Sequence, residues 1–526
     1  MRIKNLLLLL IFMGSTIVSY TQEPQGIVDN GQAYKVPPRR EIRHLLSDNR
    51  HEPLPFDSNV TRASGEYIMK EFPTQGKIKG IVLLVNYQDV KFHLPDDSIR
   101  SLLQQRFDGE NYTEEINFEE YSEVYGQVLP LKATIPGSAR DYFRDQSMGK
   151  FTPRFDVIGP ITLDNPRKHY GANTSNGGDK NARAMISDAC SKAYEQGLTD
   201  FTDYDYDKDG IVDFVYIVYA GSDEAQTKIE ECVWAHAHTI SLTLANGMKV
   251  ERYACSGELV IDLPVCAGIG TFVHEFGHIL GLPDFYNTLQ EDFTMDIWSV
   301  MDYGMYNAEG FVPCGYTSFE RYSLGWIPMH TLDAPATITI GTTDEEGKGY
   351  RIFTVEIDTT SLVTAADTAS FYLIETIRRE GWNRYAATAG MLITQVTYKA
   401  SAWQNNKVNT EDSHRYYVVP ANNDYNYRTA NKHLFGKENH EFSLISTPAS
   451  ITQHGAAMDK PITDINYDAG RGVTTFHFRG GGVEMGMGEI IKHDSGIGFF
   501  YDLQGRSAKH PSKGICIQNG KKYLAF

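Results

Sequence analysis

The chain has 526 residues, with 49 Lys and Arg against 67 Asp and Glu and a formal charge of −18. That length allows several domains and an ordinary hydrophobic core, while 22% charged and 12% aromatic residues exclude a mainly disordered chain. The acidity excludes a nucleic-acid partner, which needs a basic face.

Taken in chain order, the first signal is Arg2 and Lys4 ahead of an apolar run, Leu6 to Val18, followed by small and polar residues around Ser19 to Gln22. Thirteen residues are too few to span a bilayer as a helix. The pattern reads as a secretory signal peptide over 1–21, with an N-terminal anchor as the other reading. No later run is long enough for a transmembrane segment, so a secreted or extracellular protein is expected. Residues 22–75 are polar and broken by Pro37, Pro38, Pro53 and Pro55. Export permits disulfides, yet six cysteines are too sparse for a disulfide scaffold. Cys190, Cys232, Cys255, Cys266 and Cys314 are central, so one stays unpaired unless it reaches Cys516, and the connectivity is open.

Ile78–Tyr87 (IKGIVLLVNY) reads as a buried strand. Asn181–Gln196 carries Met185, Ile186, Ala189 and Ala193 at helical spacing and meets Gly197 at the C′ position. Between that helix and the strand Phe214–Ala220 (FVYIVYA) lies an acidic loop. Asp205, Asp207, Asp209, Gly210 and Asp213 take positions 1, 3, 5, 6 and 9 of an EF-hand-type calcium loop, and Ile211 can offer its carbonyl. Tyr216 stands where a bidentate Glu belongs and a strand follows, so this is not a true EF-hand. The expectation is a structural calcium ion bracing the sheet edge; the alternative is an acidic solvated turn. His236 and His238, beside Trp234, read as packed or surface histidines. Mixed strand and helix signals place one α+β domain at 76–328.

Thr271–Tyr286 (TFVHEFGHILGLPDFY) carries the chemistry. Helical spacing puts His274 and His278 on one face, where both imidazoles can hold one metal ion. Glu275 can act as general base on a water at that metal. Gly281 and Pro283 end the helix and let Asp284 swing back as a third ligand. The spacing matches the extended metzincin zinc motif, with Asp where many members have His. Two His and one carboxylate leave a fourth position for water, the mark of catalytic zinc. Glu320 is the alternative third ligand. Ser299–Gly304 (SVMDYG) looks like a Met-turn, with Met301 as an apolar floor and Tyr303 as an oxyanion donor.

After Pro328 the pattern turns to short β-type runs: Thr337–Ile340, Arg351–Ile357, Phe371–Ile377, Met391–Tyr398, Arg415–Val419 and Val473–Phe478. Their spacing predicts an all-β, sandwich-like domain at 329–480. A Gly-rich linker follows at 481–496 and a tail at 497–526. Phe500–Arg506 with Gly514–Ile517 resembles the C-terminal sorting domains of Bacteroidetes secreted proteins, which implies secretion machinery as a partner. A small packed β-hairpin is the other reading of this tail.

Together these segments resemble the immune inhibitor A family of secreted zinc metallopeptidases. Matching stretches include Gly80–Phe92 (GIVLLVNYQDVKF), Gly137–Gly159, Asp205–Gly221, Trp234–His236, Ser323–Trp326 (SLGW), Phe371–Glu375 (FYLIE) and Gly390–Ile393 (GMLI), over most of residues 76 to 479. The resemblance implies an α+β zincin/metzincin-like catalytic domain, a β region after it, and a secreted precursor in which 22–75 is a latency propeptide. No Cys lies there, so a cysteine switch is excluded, and Asp57 or another carboxylate is left to cover the metal. The expected activity is zinc-dependent endoproteolysis of extracellular proteins or peptides. Two other classes stay open: a non-catalytic surface or adhesion protein on the same scaffold, and a cell-wall amidase distinguished by the cleft around Tyr306–Tyr316.

Overall fold

The computed structural model describes residues 72–481, apart from 125, 176–177, 291, 355–367 and 412–413, and beyond Gly481 the backbone of four short strands. The leader, residues 22–71 with Asp57, nearly all of the linker and the side chain of Cys516 lie outside the described residues.

The fold is mixed α/β. Strands β1 (Lys79–Asn86), β4 (Arg154–Thr162), β5 (Ile211–Val212), β6 (Val215–Tyr219) and β8 (Lys249–Gly257) form a parallel sheet in the order β4-β1-β6-β8-β5, and β7 (His236–Thr243) pairs antiparallel with β8. A strand in such a sheet is buried on both faces, which is why β1 reads as an unbroken apolar run. Its side chains alternate: Val82 and Leu84 enter one hydrophobic cluster, Ile81, Leu83 and Val85 the other. Helix Ala182–Glu195 covers the second face with Met185, Ile186, Ala189 and Ala193, as its spacing predicts. Helix Gly270–Ile279 covers the first face with Phe272, Val273 and Phe276. Between β1 and β4 the chain also builds helix Asp96–Asp108 and an antiparallel hairpin, β2 (Glu114–Ser122) and β3 (Gln127–Ile135), which the sequence reading left unassigned.

Beyond Pro328, β9 (Met329–Thr331), β11 (Gly349–Phe353), β12 (Thr368–Ile377), β13 (Gly390–Lys399) and β14 (Tyr416–Val418) form a sheet ordered β14-β13-β12-β11-β9. A three-stranded sheet, β10 (Ala336–Ile340), β16 (Val473–Phe478) and β15 (Ile462–Asp468), accompanies it. Residues of β12 alternate between two cores. Tyr372 and Ile374 face Phe476 and Phe478, whereas Phe371 and Leu373 join the cluster that holds Phe272 and Phe276. The hydrophobic interior is therefore continuous across Pro328, and the compact unit ends at Gly481.

Separately, Phe500–Tyr501, Ser507–Ala508, Gly514–Gln518 and Lys521–Ala525 pair antiparallel as one small sheet. Cys190, Cys232, Cys255, Cys266 and Cys314 are buried free thiols, so the central cysteines make no disulfide with one another. Among the described residues no helix is long and apolar enough to cross a membrane.

Candidate metal centre

Helix Gly270–Ile279 is amphipathic in an unusual sense, because both of its faces are buried. Phe272 and Phe276 point into the aromatic core, while His274 and His278 lie one turn apart with ring centroids 4.8 Å apart. The helix ends in a Schellman motif: the Gly281 N–H donates to His278 O at 3.0 Å and the Leu282 N–H to Gly277 O at 3.0 Å. Gly281 has φ +99°, a conformation costly for any residue with a Cβ. This turn sends Pro283 and Asp284 back along the helix, as the Gly281-x-Pro283 pattern predicts.

The ring orientations follow from the backbone. His274 Nδ1 donates to Val300 O at 2.9 Å and His278 Nδ1 to Leu282 O at 2.9 Å; a carbonyl only accepts, so each neutral ring turns an Nε2 lone pair toward the site. Both lone pairs meet Asp284 Oδ1, 3.4 Å from His274 and 3.0 Å from His278. Three such groups this close repel unless a proton or a metal cation sits among them. The edge of a tetrahedron with zinc–ligand bonds of about 2.0–2.1 Å is about 3.3 Å, which these separations match. Asp284 Oδ1 and Glu275 Oε2 are buried acceptors with no hydrogen-bond donor from the chain.

Without a metal the same groups hold one another as an ion pair, with His274 protonated and Asp284 ionised. Burial alone raises the Asp284 pKa, but the charges of His278 and His274 outweigh it and hold the carboxyl well below its usual range. Burial lowers His274, yet the Asp284 and Glu275 carboxylates hold it up at about 9. Glu275 is pushed up to about 8, chiefly by burial.

Met301 is fully buried under the helix, where a Cβ on Gly277 would meet its sulfur at 2.5 Å. Its carbonyl accepts the Phe285 N–H at 2.8 Å, which ties the Met301 turn to the Asp284 turn. Glu320, the alternative ligand, is otherwise engaged. Its carboxylate caps helix Ser318–Ser323 through the Thr317 N–H and accepts the Ser299 hydroxyl, so it braces the Met301 turn from behind. Tyr303 opens a 3-10 turn, partly buried, its N–H donated to Asp302 Oδ1 at 2.8 Å.

Sequence reading missed three side chains here. Tyr286 is a phenol held far above its usual range by burial and then by Asp284, Glu275, Tyr306 and Tyr303; its place two residues after Asp284 was the available signal. Asn406 and Asn409 reach the Asp284 turn from more than a hundred residues away, and no local pattern announces them.

At the acidic loop, Asp205, Asp207 and Asp209 bring oxygens within 4.8 Å of one another. Asp213 is not in that group; its Oδ2 accepts the Tyr206 N–H at 2.6 Å. Asp205 also accepts the Asp209 and Gly210 N–H groups, and Ile211 lies in β5, paired with β8. His236 is a packed histidine, donating to Trp234 O at 2.7 Å and meeting the Tyr253 hydroxyl at 2.8 Å. His238 stacks on Tyr253.

Residues 69–326 match the family model for the immune inhibitor A peptidase M6 catalytic domain. Over 262 residues, 43% of this chain, the sequence is 29% identical to Immune inhibitor A of Bacillus thuringiensis subsp. alesti, covering 36% of that protein. Over 216 residues, 36% of this chain, it is 25% identical to Pre-pro-metalloprotease PrtV of Vibrio cholerae serotype O1 (strain M66-2), covering 23% of that protein. The matches thus cover about a third of the first relative and about a quarter of the second. Family and relatives agree on a metallopeptidase, a hydrolase of peptide bonds, and such a family implies a zinc cofactor.

Proposed function

We propose that this chain is a secreted, zinc-dependent endopeptidase. The observation that carries the reading is the convergence of two Nε2 atoms on Asp284 Oδ1, a cradle that fits a metal cation. His274, His278 and Asp284 would hold zinc, which would supply Lewis acidity toward the scissile carbonyl and toward a water molecule. Glu275 takes the proton from the attacking water at its unpartnered Oε2 and passes it to the leaving amine. Tyr303 donates to the carbonyl oxygen as negative charge develops there. Burial of the whole cluster strengthens each of these interactions by excluding water.

The test is direct. Purified protein freed of its propeptide carries one zinc per molecule and cleaves casein; a zinc chelator abolishes cleavage and added zinc restores it; His278→Ala holds no stoichiometric zinc. Stoichiometric zinc without any cleavage would favour the non-catalytic surface protein instead.

The remaining parts of the reading attach to this activity. Residues 1–21 serve as export signal, the part of 22–75 that precedes the buried Phe72 as latency propeptide, 329–480 as a mainly β region packed on the catalytic part, and 497–526 as a sorting tail; substrates are extracellular proteins. A calcium ion at Asp205, Asp207 and Asp209, whose oxygens lie within 4.8 Å of one another, is part of the same proposal. Chelator-treated protein then gains stability in calcium, by about 2.7 kcal/mol at a hundredfold excess over Kd. Calorimetry that registers no calcium-dependent shift removes that ion from the proposal.

A further inference from the structure

We propose that Asn406 is the positioning residue of the third metal ligand, which makes the segment after helix Ala400–Gln404 part of the metal site. The inference rests on the zinc reading above. Asn406 grips Asp284 with both ends of its amide: Nδ2 donates to Asp284 Oδ2, and Oδ1 accepts the Asp284 backbone N–H at 2.7 Å. With Oδ2 committed and the backbone held, the carboxylate has one orientation left. That orientation turns Oδ1 to the two imidazoles.

The grip is itself anchored. Asn409, fully buried, donates to Phe285 O and Tyr416 O, each at 2.6 Å, and its Oδ1 accepts the N–H groups of Arg415 and Tyr416. One amide thereby fastens the residue after the ligand to the base of β14. Trp403, also buried, packs on Phe319 and Tyr398 and fixes the preceding helical turn. Asn406 has φ +56°, a left-handed conformation that Asn tolerates better than most residues. The stretch that matches the family model stops at 326, so this clamp comes from outside it.

A carboxylate that must meet a metal in one geometry loses affinity when the group that orients it is removed, typically 10–100-fold. Two variants of the full chain separate orientation from mere packing. Asn406→Gly accepts the left-handed backbone without strain and deletes only the amide. Asn406→Asp keeps the backbone preference and an acceptor for the Asp284 N–H, but it sets a second carboxylate oxygen against Asp284 Oδ2.

Zinc dissociation constants from competition with a chromophoric chelator, paired with melting of the zinc-free proteins, decide the matter. Expected is about 10–100-fold weaker zinc binding in Asn406→Gly, a larger loss in Asn406→Asp, and zinc-free melting temperatures close to wild type. Zinc affinity in Asn406→Gly within twofold of wild type overturns the inference. So does Asn406→Asp binding as well as Asn406→Gly, or a zinc-free melting loss that accounts for the weakened binding. Wild-type chain without stoichiometric zinc overturns the site reading first, and this inference with it.

Discussion

Glu275→Gln keeps its zinc and loses about 10²–10⁴-fold in kcat/KM, the range that a positioned general base supplies. The substitution is nearly isosteric and the side chain is buried, so the helix and its packing are undisturbed. Oε2 has no protein donor to lose, and a neutral amide is easier to bury than a carboxylate. The zinc-loaded variant therefore melts no lower than wild type. Three measurements separate chemistry from structure: zinc content by atomic absorption, melting, and the cleavage rate on one peptide. Cleavage at an undiminished rate with zinc in place would remove Glu275 from the mechanism.

Phe276→Ala is expected to cost about 3–5 kcal/mol of folding stability, the range for deleting a large buried aromatic side chain. Phe276 lies at the centre of the aromatic core, with ring centroids 4.8 Å from Phe214, 4.9 Å from Phe143, 5.5 Å from Phe72 and 5.7 Å from Phe155. It belongs to the same helix as both histidines, and it is the part of that helix that fixes the ligands against the sheet. Denaturant unfolding should show a lower midpoint at an unchanged slope. A loss below about 1 kcal/mol means the site has room to collapse, and the inner face of the helix is not the anchor described.

How much of this was legible beforehand depends on distance along the chain. The His274–Asp284 turn was readable because everything that shapes it is local: two histidines one turn apart, a glycine at C′ and a proline after it. The strand near 79–86 was readable because a doubly covered strand shows an apolar run. The Glu320 carboxylate was ambiguous because a capping Glu and a ligating Glu look alike in sequence; only the neighbouring Thr317 and the distant Ser299 separate them. Asn406 was invisible for a stronger reason. Its partner is 122 positions away, and an Asn in a turn is usually there for its backbone. The β2–β3 hairpin escaped because β2 (EEINFEEYS) is mostly polar and exposed, without the strict alternation that marks a half-buried strand.

The five reduced cysteines bear on how this protein ages. Burial pushes the Cys190 and Cys266 thiols up to about 12 and Cys232 to about 11, so these thiols hold almost no thiolate at neutral pH and oxidants attack them slowly. While folded, these five buried thiols sit protected in an oxidising medium. Once unfolded, the same thiols return to ordinary reactivity and can cross-link in wrong pairs. Loss of the native state in air then becomes a one-way event, and the useful lifetime of the protein is set by its unfolding rate, not by its equilibrium stability.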